Sequence, residues 1–103
     1  MKVDFSAKIL GLDGSPLREP GASEDLTLAS IVCSTLINLS DKDKDMSAAD
    51  KVAMFKLAVK ITANGKDVTL DADEIVRLKN RVGVMCTPLI VGRAYELLDP
   101  GSV

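Results

Sequence analysis

Polar and apolar residues alternate at the start of the chain. Val3, Phe5, Ala7 and Ile9 fall on one side, with Asp4, Ser6 and Lys8 between them. A period of two is the mark of a half-buried strand. The pattern breaks near Gly11. Asp13-Gly14 then supplies the residue pair best suited to a tight turn, so Ser15-Pro16-Leu17 is expected to return as a short second strand. From Arg18 to Asp25 the chain reads REPGASED, with a proline, a glycine and four charges, which predicts a solvated connector.

Beyond the connector the periodicity becomes helical. Thr27 can cap a first helix running from Leu28 to about Leu39, with Leu26 and Ile31 placed as a hydrophobic staple. Ile31, Val32, Thr35, Leu36 and Leu39 recur at helical spacing, and the scarcity of charge places this helix centrally. The polar tract SDKDKD follows. A second helix starts at the cap Ser47, with Asp50 three positions on, and continues to about Ala63 before Asn64-Gly65. Its expected core line is Val52, Phe55 and Val59, with Met54, Ala58 and Ile61 beside it and Lys51, Lys56 and Lys60 on the remaining surface.

Asp71 and Glu74 form the strongest capping signal, and Leu70 and Ile75 can touch across that turn. Ile75, Leu78, Val82 and Met85 then line up one apolar stripe. Thr87-Pro88 interrupts the pattern, so a last helix is expected from Pro88 to about Leu98, stopped by Asp99-Pro100-Gly101. Gly92 within it costs roughly 1 kcal/mol against alanine, tolerable where another backbone passes close by. One echo stands out: Leu26-Thr27-Leu28 and Val68-Thr69-Leu70 each precede a helix, and both can lie extended, side by side. Together these elements predict a mainly α (α+β) single domain over residues 1–103. A short N-terminal β-hairpin, about 1–17, packs on a bundle of three to four helices, and a polar connector occupies about 18–25.

Composition narrows the chemistry. The 103 residues are 47% hydrophobic and 27% charged, the balance of a compact domain. No histidine is present, which removes histidine triads, histidine-bearing zinc sites and the imidazole proton shuttle. Cys33 and Cys86 sit far apart in apolar neighbourhoods and read as small buried thiols in a reducing compartment. A net charge of −2 supplies no basic field for nucleic acid, and no apolar run approaches the roughly 20 residues that span a bilayer. The N-terminus has no long apolar core of the kind a signal peptide carries, so a cytoplasmic location is expected.

Few residues suggest a site. Asp41-Lys42-Asp43-Lys44-Asp45 begins like a calcium loop, but Met46 and Val52 stand where glycine and glutamate are needed, so a solvated mixed-charge loop is expected. The carboxylates Asp50, Asp71, Asp73 and Glu74 fall in first turns of helices, as caps and dipole partners. No Walker loop or GxGxxG is present, and Phe5, Phe55 and Tyr95 are too few to stack bases. No catalytic residue, metal ligand or cofactor is therefore expected. Arg77 and Arg81 lie four apart on the third helix, with Glu74 in reach of Arg77. With Arg93 and Tyr95 on the last helix, they form the expected partner contact, and Tyr95 can equally anchor its own helix.

The blocks DFSAKILGLDGSPL, DKVAMFKLAVKI and PLIVGRAYELLD, in that order, resemble a group of small proteins encoded by tailed bacteriophages and prophages. The resemblance implies a viral gene product working in the host bacterial cytoplasm and carries no known catalytic residue. A noncatalytic protein-binding module is then the expected function, acting on a host or defence component. The alternative is a small tail or head assembly factor that binds a phage structural protein or forms a homo-oligomer.

Overall fold

The computed structural model describes residues 2–18, 21 and 23–99. Strand β1 (Lys2–Val3) leads through the hairpin and connector to helix α1 (Leu28–Ile37). A 3-10 turn (Asp41–Asp43), helix α2 (Ala48–Asn64), strand β2 (Val68–Thr69), α3 (Ala72–Met85) and α4 (Pro88–Leu98) follow. The chain is thus mostly helical with a short β component at its N-terminal end, as the periodicity predicts. α1 packs against both α2 and α3, and α3 carries α4 on its far side.

The N-terminal alternation translates directly into burial, because Val3, Phe5 and Ile9 all point into the core while Asp4, Ser6 and Lys8 stay outside. The hairpin forms around Asp13-Gly14, where Gly14 takes a positive φ of 84°, and Leu10 bridges Pro16. The amide of Gly11 donates to Ser15 O at 2.8 Å. The regular strand pairing, however, is made across the chain: β1 runs antiparallel to β2, with Lys2 opposite Thr69 and Val3 opposite Val68. The two echoing tripeptides therefore flank the same N-terminal segment, Thr27 beside Lys8 and Val68 beside Val3.

Three extended stretches close a ring of backbone hydrogen bonds. Ile9 N–H donates to Leu26 O at 2.9 Å, Leu17 N–H to Ile9 O and Leu26 N–H to Leu17 O, both at 2.8 Å. The same segment caps α1. A helix leaves its first amides unpaired, and here Leu28 N–H donates to Ala7 O, Ala29 N–H to Phe5 O, and Ser30 N–H to the Thr27 hydroxyl. Ser30 Oγ in turn accepts from the Thr27 amide, completing a capping box. Asp25 closes the connector at its base through Lys8 at 3.0 Å and Arg18 at 2.9 Å. These partners, Lys8 foremost, hold its carboxyl below the usual range. Glu19, Pro20 and Ala22 of the connector lie outside the described residues, as do Pro100 and Gly101 of the expected C-terminal stop.

Ser47 caps α2, Asp71 and Glu74 form the reciprocal box on α3, and Pro88 opens α4, each at its expected place. Ile75, Leu78 and Val82 are buried, and Met85 is half-buried at the helix end. At Gly92, apart from the backbone of its own helix, no atom of the other described residues stands within 4 Å of where a Cβ would project, so no second backbone among them requires the glycine. Gly92→Ala is therefore expected to stabilise the domain by about 1 kcal/mol, a rise of roughly 4–8 °C in Tm. Thermal unfolding followed by circular dichroism checks this; a lower Tm would show a steric demand at this position.

Candidate functional site

The expected contact residues do not share one surface. Arg81 is buried, at 7% exposure, and each guanidinium nitrogen donates a hydrogen bond. Nε donates to Thr35 O at 3.0 Å, Nη2 to Asn38 O at 2.7 Å and Nη1 to Asp43 Oδ1 at 2.8 Å. It is a lock between α3 and the end of α1, with each of its three nitrogens bonded there, although part of the residue also lines the opening beside Arg77. Asp43 correspondingly leaves the expected solvated loop and turns inward. The Ser40 amide, followed by Arg81, holds its carboxyl below the usual range.

Arg93 is half-buried and ties α4 to the hairpin, donating to Leu10 O at 3.2 Å and Gly11 O at 2.8 Å. Its other contact is Glu96 in the same helix. Tyr95 anchors α4 on α3 by donating to Lys79 O at 2.9 Å, while the Lys79 ammonium stands 5.1 Å from its ring centre. Arg77 is the one member of the set whose side chain makes no hydrogen bond or ion pair with a described residue. Glu74 bonds Lys60 across the α2–α3 interface at 2.9 and 3.0 Å and leaves Arg77 unpaired. Arg77 overlooks two openings between α2 and α3, of about 520 and 360 Å3. Asp50, Asp73 and Glu74 share these openings with Lys56 and Lys60, so the charges are mixed and build no field of one sign.

Cys33 and Cys86 are free and partly buried, and burial pushes the Cys86 thiol up, away from the thiolate that reacts. Among the described residues no three histidine, cysteine, aspartate or glutamate side chains converge on a point where a metal ion could sit, and no helix is long and apolar enough to cross a membrane.

The most distinctive surface lies elsewhere. Met54, Leu57, Ala58 and Ile61 form the buried face of α2, whereas the expected core line of Val52, Phe55 and Val59 faces outward. Both stripes have helical spacing, and the one carrying methionine, leucine and isoleucine is the one turned in. Phe55 is 62% exposed, Val52 50% and Val59 49%; beside them Ile37 and Leu39, at the end of α1, are 67% and 51% exposed. Leu36, Ile37, Leu39, Lys51, Met54 and Phe55 line a groove of about 250 Å3 between the two helices.

No family model, curated protein or solved structure matches this chain. Its chemistry is therefore read from its own surface. Sequence reasoning missed this face because it assigned one of two apolar stripes on α2 to the core. The available signal was that α2 has apolar positions nearly all round. A helix of that composition is ordinarily buried on every side, yet a domain this small has only one core to offer.

Proposed function

We propose that the protein is a noncatalytic protein-binding module that engages its partner through the outer face of α2 and the end of α1. The carrying observation is the contiguous exposure of Ile37, Leu39, Val52, Phe55 and Val59. Isolated exposed aliphatic residues are ordinary, whereas a contiguous apolar patch of a few hundred Å2 is the largest a typical monomer shows and is often functional. With the resemblance to phage-encoded proteins, the proposed partner is a host or defence component, and a phage structural protein is the alternative.

Phe55→Glu tests the reading. Phe55 is mostly exposed, so the variant is expected to unfold within about 0.5 kcal/mol of the parent. In affinity capture from infected-cell lysate, proteins enriched by the parent should be lost with Phe55→Glu and retained with Arg77→Ala. An unchanged captured set with Phe55→Glu would remove this face from consideration, and loss with Arg77→Ala alone would move the contact to the α2–α3 openings.

A further inference from the structure

We infer that the occupant of this face is an amphipathic helix carrying acidic residues beside its apolar stripe, which deepens the protein-binding reading and rests on it. Val52, Phe55 and Val59 follow one another at spacings of three and four, two turns of continuous apolar ridge. Ala48, Ala49 and Ala63 are also exposed on α2, which lets a partner backbone come close. A helix laid along such a ridge reads it with anchors at the same spacing.

The charge pattern supplies the sign. Lys51 lies on the α1 side of the ridge, lining the groove with Ile37 and Leu39; Lys56 lies on the α3 side. Neither forms an ion pair with a described residue, whereas Lys60, the third lysine of α2, is held by Glu74. The only carboxylate of α2, Asp50, opens toward α3 and is absent from this groove. On the α1 flank Lys51 is the one charge among the described residues lining the groove, and it is complementary to carboxylates beside a partner's apolar stripe. On the α3 flank Lys56 shares its opening with Asp71, Asp73 and Glu74, so the acidic side of the partner helix falls on the α1 flank.

A second copy of the chain fits less well. Two α2 helices crossing face to face would bring lysines against lysines with no acid between them. The five large side chains offer on the order of 400 Å2, against about 800 Å2 per partner in a standard stable interface. That area suits a single helix. A flat membrane surface would meet the Val52, Phe55 and Val59 ridge without entering the groove beside it, whereas the side chains of a single helix reach both.

The test uses the full chain and a labelled synthetic 18-residue peptide, with leucines spaced three and four apart and flanking glutamates, against the same peptide with lysines at those flanks. Fluorescence anisotropy should give at least tenfold tighter binding of the glutamate peptide, weakening with added salt. The preference should invert in Lys51→Glu/Lys56→Glu and binding should vanish in Phe55→Ser, with both variants retaining the parent circular-dichroism spectrum. Equal or absent binding of the two peptides would overturn the inference. So would sedimentation as a dimer that Phe55→Ser dissociates, or Phe55-dependent binding to phosphatidylserine vesicles in place of the peptide. If lysate capture depends on Phe55 but survives Lys51→Glu/Lys56→Glu, the acidic helix fails while the binding module stands. If capture is also independent of Phe55, both fail.

Discussion

Phe5→Ala is expected to destabilise the domain by about 3–5 kcal/mol, most of the stability available to a chain of this size. Phe5 is fully buried, and its carbonyl accepts from the second amide of α1. Truncating the ring removes its transfer free energy and leaves a cavity against neighbours that cannot fully collapse. The effect would reach beyond packing, because a loosened Phe5 also frees the segment that caps α1. Phe55→Ala is the internal control: the same chemical change at a mostly exposed site should stay within about 0.5 kcal/mol. Urea unfolding of both variants separates the outcomes. Near-equal midpoints would mean that the N-terminal segment does not belong to this core and packs elsewhere, for instance on another chain.

The second large effect is expected at Arg81. Arg81→Met keeps much of the side-chain volume but removes the donors to Thr35 O and Asn38 O, so the variant should lose roughly 3 kcal/mol, or about 12–24 °C in Tm. Asp43 would keep its Ser40 partners but lose its cation. A pH series provides an independent readout. The folded-state pKa of Asp43 lies below 3.8, so its contribution is fully present above about pH 4 and is lost as pH falls through the folded value. Because the Ser40 amide is the larger cause and remains, Arg81→Met should flatten the acid limb of the stability profile without abolishing it. A parent-like Tm in Arg81→Met would show that the guanidinium is dispensable, and Arg81 would then return as a surface candidate.

Local chemistry made much of the architecture readable. Thr27, Ser47 and Asp71 begin their helices as expected, because a cap satisfies amides only two or three residues away and needs nothing distant; Pro88 opens α4 with no side-chain cap, because its fixed φ already suits a first turn. The Asp13-Gly14 turn is equally local. The partnership of Arg81 with Asp43, 38 positions apart, leaves no trace in the spacing of either residue. Arg81 and Arg77 are indistinguishable as members of one helical row and border the same opening, yet the guanidinium of Arg81 is held by the end of α1 and that of Arg77 has no partner among the described residues. The candidate site was hidden for a related reason: α2 carries two stripes of comparable spacing, and periodicity alone does not rank them.

Residue order along the chain was thus sufficient for helix starts, the hairpin turn, the inward set of Val3, Phe5 and Ile9, and the missing histidine chemistry, since each follows from neighbours or composition. The pairing of β1 with β2, the engulfing of Arg81 and the outward turn of Phe55 emerged when helices competed for one core. A core of this size can bury one side of α2. Packing against α1 assigned Met54, Leu57, Ala58 and Ile61 to the inside and left the opposite ridge facing water.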